Sequence, residues 1–268
     1  MKKYYVFLMT IFLFSCTKEA TPPDQPKYFT SCEEMTDVTG LNLYQFEEPV
    51  QGIGIPELSK RQIPEDFLRE MTTKEMIYQI SRLEVFTSIF FLALQGHGPW
   101  KYYVDCLNMC TELMYQREDA VQTLLQLLQM IEPSFIKNGN MENDSSWDCY
   151  YFYECLQIFA SCPAIINRMT DEEINQYIDE QIRLHDAISD LDFDANSDRW
   201  YYPHSIVFGL FGLCNIMMRY EFEPFLQLLE TNEFFSDVIK DNKGETRWII
   251  PQTLSIIDCI KKFQNQHK

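Results

Sequence analysis

The sequence predicts an all-α fold of stacked helical pairs, an α-solenoid of the armadillo or HEAT kind, behind an N-terminal signal and an extended tether. Three observations carry that expectation. Only nine glycines occur in 268 residues, while Leu, Ile, Met, Gln and Glu are common. Helix formers are thus abundant and tight hairpins lack their turn residues. Apolar residues recur at helical spacing: Val121, Leu124, Leu125, Leu128 and Ile131 share one face, with Gln122, Gln126 and Gln129 opposite. Helix-start signatures are present, in Thr170-Asp171-Glu172-Glu173 and in the pair Thr72 and Glu75.

The first element is not part of the body. Lys2 and Lys3 precede Tyr4–Phe14, an apolar run broken only by Thr10, which together read as a secretory signal. Eleven residues make about 16 Å of helix, too short to span a bilayer. Leu13-Phe14-Ser15-Cys16 then resembles the lipobox of bacterial lipoproteins, with the bulky Phe14 as its departure. Residues 1–15 are expected to be removed and Cys16 to be acylated. Residues 16–31, with Pro22, Pro23 and Pro26, read as a stiff polar tether. Lys18-Glu19 resembles the short charged sorting signals of Bacteroides surface lipoproteins.

Residues 32–268 are expected to form one helical domain, with helices near 64–71, 73–95, 100–115, 118–131, 148–160, 171–189, 203–219, 223–240 and 248–264. Val85–Leu94 is almost wholly apolar but only about ten residues long, which suits a helix buried on all sides rather than a membrane span. Lys137–Ser146 and Asp190–Arg199 read as polar loops.

A repeat is marked by Trp100, Trp147, Trp200 and Trp248, which stand 47, 53 and 48 residues apart, each at an expected helix start. Armadillo and HEAT units have periods close to this. Parallel first helices would align the tryptophans along one edge of the stack. Packing between units is the first use expected of them; an aromatic edge of Trp100, Trp147, Trp200 and Tyr201 that stacks on sugar or peptide is the second.

The formal charge is −18, and loss of Lys2 and Lys3 with the signal leaves −20. Such a body repels phosphate backbones and anionic headgroups, so nucleic acid is excluded as a partner and the lipid on Cys16 is the expected membrane attachment. Beyond Cys16, eight cysteines remain, most on apolar helix faces: Cys106 and Cys110 lie with Tyr103, Leu107 and Leu113, and Cys155 with Phe152, Leu156 and Phe159. Mostly buried thiols are expected, with one disulfide or none, equally weighted, and no C-x-x-C or matching histidine suggests zinc.

Asp190, Asp192 and Asp194 alternate as a calcium loop requires. Ala195 and Tyr201, however, stand where such a loop needs glycine and a bidentate glutamate. A solvated acidic loop is the first reading, and a looser calcium site at those three aspartates the second. His185 falls on the apolar side of its helix with Ile178, Ile182 and Ile188, and His267 in a frayed tail. Metallopeptidase, hydrolase-elbow and phosphate-loop patterns are absent, no cofactor is implied, and no catalytic residue is assigned.

Ile63-Pro64-Glu65-Asp66-Phe67-Leu68-Arg69-Glu70-Met71-Thr72-Thr73-Lys74-Glu75-Met76 resembles the opening segment of a group of Bacteroidales exported lipoproteins. So does Leu113-Met114-Tyr115-Gln116-Arg117-Glu118-Asp119-Ala120, followed by Leu124 and Leu125. The resemblance covers residues 63–131 and departs at Gln79–Gln95. It implies an exported all-α protein and brings no catalytic residues. The expectation from all of this is a non-enzymatic, lipid-anchored envelope protein, at the outer membrane, that binds a protein or glycan partner. A carbohydrate-binding accessory lipoprotein is the alternative, and a glycan-active α/α enzyme using two carboxylates stands behind it.

Overall fold

A computed structural model describes residues 28–47, 62–82, 110–132, 144–189, 202–231 and 249–267. Among these every regular element is a helix: α1 (Cys32–Thr36), α2 (Glu65–Glu70), α3 (Thr73–Ser81), α4 (110–116), α5 (Ala120–Gln129), α6 (Asp144–Ala160), α7 (Pro163–Ile166), α8 (Asp171–Ser189), α9 (Tyr202–Arg219), α10 (Glu223–Thr231) and α11 (Ile249–His267). The all-α expectation therefore holds.

Local chemistry explains where several helices start and stop. At α3 the Thr72 hydroxyl accepts the Glu75 N–H, and the Glu75 carboxylate accepts the Thr72 N–H, which satisfies two orphan donors at once. Thr170 and Glu173 do the same for α8. Pro163 opens α7 at a position where its missing N–H is harmless. After α9 the chain turns through Glu221, whose φ is 49°. There the Phe222 N–H donates to the Met217 carbonyl and the Glu221 N–H to that of Met218, a Schellman closure with Phe222 buried behind it.

The centre of the body is α6. Residues 152–162 are all buried, as befits a helix covered on every side. It packs against α1, α3, α5, α7 and α9, while α9 in turn packs against α7, α8, α10 and α11. Helix α5 also packs on α8. The face expected of α5 is the one observed: Val121, Leu124, Leu125, Leu128 and Ile131 are buried.

Three arginines make hydrogen bonds between neighbouring helices that span about fifty residues of sequence. Arg117 donates to the carbonyls of Leu68 (3.3 Å) and Met71 (2.6 Å), at the end of α2. Arg168 donates to the carbonyls of Tyr115 and Arg117 (the latter at 2.6 Å), at the end of α4. Arg219 donates to those of Ile166 (2.6 Å) and Met169 (3.1 Å), at the end of α7. The three arginines stand at equal intervals of 51 residues, each just before a new helix. Each neutralises carbonyls that a helix end leaves without internal partners.

The segment 28–47 lies across α3, α5 and α6. The Phe29 N–H donates to Met130 (2.8 Å), so the last residues of the expected tether are already held on the body. Cys32 is bonded to Cys149 of α6, with Cα atoms 5.6 Å apart. Further along, the Asn42 and Tyr44 N–H groups donate to the Glu75 and Gln79 side chains, both at 2.7 Å.

Several boundaries differ from the sequence reading. Helices α1 and α7, of five and four residues, are additional; both are too short to show a period. The expected helix 73–95 ends at Ser81, with Arg82 as its cap. The expected polar loop 137–146 gives way to α6 at Asp144, because Asp, Ser and Ser are good residues for a helix start. His267 is the last residue of α11 rather than a frayed one. Its ring stacks on Phe263 at 4.0 Å and meets Tyr220 edge-on at 5.4 Å. The stretch Val85–Leu94 and the loop Asp190–Arg199 lie outside the described residues.

Candidate functional site

Of the residues singled out in the sequence, Cys16, Trp100, Trp200, Tyr201, Asp190, Asp192 and Asp194 lie outside the described residues. Trp147 sits in the first turn of α6, and its side chain is not among those described either. The aromatic edge and the acidic loop thus fall outside the described side chains. Among the described residues no cluster of His, Cys, Asp or Glu is placed to hold a metal ion.

What the body does contain is a buried polar strip where α6, α8 and α9 meet. Helix α8 contributes Tyr177, Gln181 and His185 from successive turns, all buried. The Gln181 amide donates to the Gln157 carbonyl oxygen at 2.8 Å, and the Gln157 amide donates to the Tyr153 hydroxyl at 3.0 Å. The Tyr177 hydroxyl donates to the Gly209 carbonyl at 3.3 Å. Buried amides and hydroxyls must be paired in this way or they destabilise the fold.

Two glycines of α9 create the room for this strip. A Cβ on Gly209 would lie 2.1 Å from Gln181 Oε1, and one on Gly212 would come within 2.7 Å of Tyr177 Cζ. The close approach of α8 to α9 thus depends on both positions lacking a side chain.

Beside the strip is a cavity of about 10 Å³, lined by Tyr153, Gln181, His185, Gly209 and apolar neighbours. That volume has room for one water molecule at most. The His185 imidazole, 8% exposed, meets Asp186 at 3.3 Å through Nδ1, with Lys261 4.0 Å from the same carboxylate. A histidine–aspartate pair is the base half of a nucleophilic machine, which also needs a hydroxyl or thiol within hydrogen-bond reach. Among the described residues that line the cavity, the one hydroxyl is the Tyr153 phenol, whose oxygen accepts the Gln157 amide. The strip reads as a satisfied polar core, as expected for His185 from its place on the apolar face.

The thiols are equally quiet. Cys110, Cys155, Cys162, Cys214 and Cys259 are buried and lie outside the disulfide. Burial pushes the Cys110 thiol up to about 12, and raises those of Cys162, Cys214 and Cys259 as well. Such groups stay protonated at neutral pH and make poor nucleophiles. The described cysteines are mostly buried thiols, as expected, and one disulfide is present where the sequence left its existence open. The pairing Cys32–Cys149, across 117 residues, could not be read from spacing.

The remaining constructed feature is the contact between α3 and the segment 28–47. Tyr78 donates its hydroxyl to the Met35 carbonyl at 3.0 Å, and burial pushes that phenol up to about 12. Burial also acts to raise Glu75, but the N–H groups of Thr72 and Asn42 and the Thr72 hydroxyl outweigh it and hold the carboxyl below its ordinary 4.5. Sequence reading identified Glu75 as a helix cap and missed its second role, because Asn42 lies 33 residues away. Compared with known families, curated proteins and solved structures, the chain matches no family model, no curated protein and no solved structure.

Proposed function

We propose that this chain is a non-enzymatic, lipid-anchored envelope protein that binds a protein or glycan partner through the surface of an armadillo-like helical stack. The observation that supports the stack most is the equal spacing of Arg117, Arg168 and Arg219, each bonded to the helix end one unit earlier. Repeat units that touch only their neighbours produce this pattern, since the same interface recurs once per period. Stacks of this kind offer long surfaces for recognition and need no active site.

Two features support the envelope address. The n-region, apolar run and Leu13-Phe14-Ser15-Cys16 together carry the expected acylation at Cys16. The Cys32–Cys149 bond suits an oxidising compartment, where disulfides persist. No helix among the described residues is long and apolar enough to cross a membrane, and in this reading the Cys16 lipid supplies the attachment.

Metabolic labelling with a palmitate analogue tests the anchor. The wild type should be labelled and Cys16→Ala should not; equal labelling of both refutes lipidation at this residue. Capture of the tagged chain from its native envelope then identifies the partner. Recovery of a single glycan class would favour the carbohydrate-binding alternative.

A further inference from the structure

The bond between Cys32 and Cys149 joins the segment 28–47 to α6, the central helix of the body. Beyond α1 the segment has no regular structure, and of its side chains only Phe29 and Met35 are buried. Val38, Leu41, Leu43, Tyr44 and Phe46 lie half-buried against the body. Its main chain is held by the Met130 carbonyl at Phe29, the Tyr78 hydroxyl at Met35, Glu75 at Asn42 and Gln79 at Tyr44. Helix α6 packs in addition on α3, α5, α7 and α9, through contacts in which the segment takes no part.

Fixing the backbone of these twenty residues carries a large entropic cost, which two buried side chains and a few main-chain hydrogen bonds offset only in part. Were the segment to leave the body, the chain from Cys32 to Ile63, which is buried again, would form a loop of thirty-one residues. A bond closing a loop of that length favours the docked state by roughly a few hundredfold in the chain-entropy account. A factor of that size decides between docked and open.

We propose that Cys32–Cys149 is a redox latch: with the bond formed the segment 28–47 is clamped on α3 and α6, and with the two thiols reduced it swings free while α3–α11 stay folded. The latch sets the reach of the body from its anchor. Thirteen residues separate Cys16 from Phe29 and forty-seven separate it from Ile63, so reduction extends the longest possible tether from about 45 Å to about 160 Å. That consequence rests on the reading of Cys16 as the lipidated residue; the latch itself does not. The oxidant is the disulfide of a thiol–disulfide carrier, of the kind an oxidising compartment supplies. The Cys32 thiolate, on the free segment, attacks one carrier sulfur and forms a mixed disulfide, releasing the first carrier thiolate. The Cys149 thiolate then attacks the Cys32 sulfur and releases the second. The two protons of Cys32 and Cys149 pass to the carrier, which leaves as a dithiol.

Hydrogen exchange on the purified full-length chain tests the latch, with tris(carboxyethyl)phosphine as the reductant, so its outcome does not depend on lipidation. Reduction should speed exchange of the Phe29, Asn42 and Tyr44 amides at least tenfold and leave those of Leu124 and Leu156 within about twofold. Cys32→Ala, which keeps the buried Cys149 as a thiol, should exchange like the reduced wild type with or without the phosphine. Oxidised glutathione should return the reduced wild type to its slow rates. Segment amides that stay slow after reduction overturn the proposal. So does equal acceleration of Leu124 and Leu156, which would make the bond a staple of the whole fold. A non-reducing digest without the Cys32–Cys149 peptide pair overturns it too.

Discussion

Glu221 holds a left-handed backbone, φ 49°, at the place where a helix end most often uses glycine. Its Cβ is strained there, while the Schellman bonds from Phe222 and Glu221 keep the turn in place. Glu221→Gly should therefore stabilise the protein by about 0.5–1 kcal/mol, read as a higher urea midpoint with unchanged slope. Gly212 presents the opposite case. A methyl group there meets the rigid, fully buried ring of Tyr177, whereas one on Gly209 meets the end of the longer Gln181 side chain, held by its hydrogen bond to Gln157. Gly212→Ala should cost about 3 kcal/mol and Gly209→Ala about 1, both within the range for overpacking, as measured by urea denaturation. Sequence showed that glycine is scarce in this chain. It could not show which glycines matter, since the side chains that need the space lie on α8, some 30 residues earlier.

At the scale of elements, caps were legible and partners were not. Thr72 with Glu75 and Thr170 with Glu173 were readable because both members of each pair lie within one turn. Helix faces on α5 and α8 were readable from their period, and His185 lies on the buried side as read; α6, buried all round over residues 152–160, has no such face. Helices α1 and α7 escaped because four or five residues carry no period. The contact between α3 and the segment 28–47 escaped because it runs through main-chain groups, which every residue has. That contact has a pH signature. Glu75 is held below its ordinary 4.5 in the folded state, so its contribution is complete above that value and is lost as pH falls through the folded value. Wild type should thus lose stability over this acidic window, while Glu75→Gln, already weaker at neutral pH, should lose less. Urea midpoints at pH 7 and at about pH 3 check this; parallel losses would show that another carboxylate dominates.

At the scale of the molecule, Arg117, Arg168 and Arg219 stand 51 residues apart, close to the interval between the tryptophans on which the proposed repeat rests. Arginine is usually a surface residue, so three at equal spacing carry little weight until their carbonyl partners are seen. Those partners, each about one unit upstream, connect the ends of α2, α4 and α7 in order. An open stack with these contacts has a measurable consequence. Glu70, Glu118, Asn167 and Glu221 are exposed and lie beside successive helix ends. Spin labels introduced there through an unnatural amino acid, which avoids the nine native cysteines, give pairwise distances by pulsed electron resonance. The stack predicts that distances from Glu70 to Glu118, Asn167 and Glu221 rise steadily, by about 10 Å per unit, the separation of packed helices. A distance from Glu70 to Glu221 no longer than that to Asn167 would mean the helices close on themselves, and would contradict the stack on which the proposed binding surface depends.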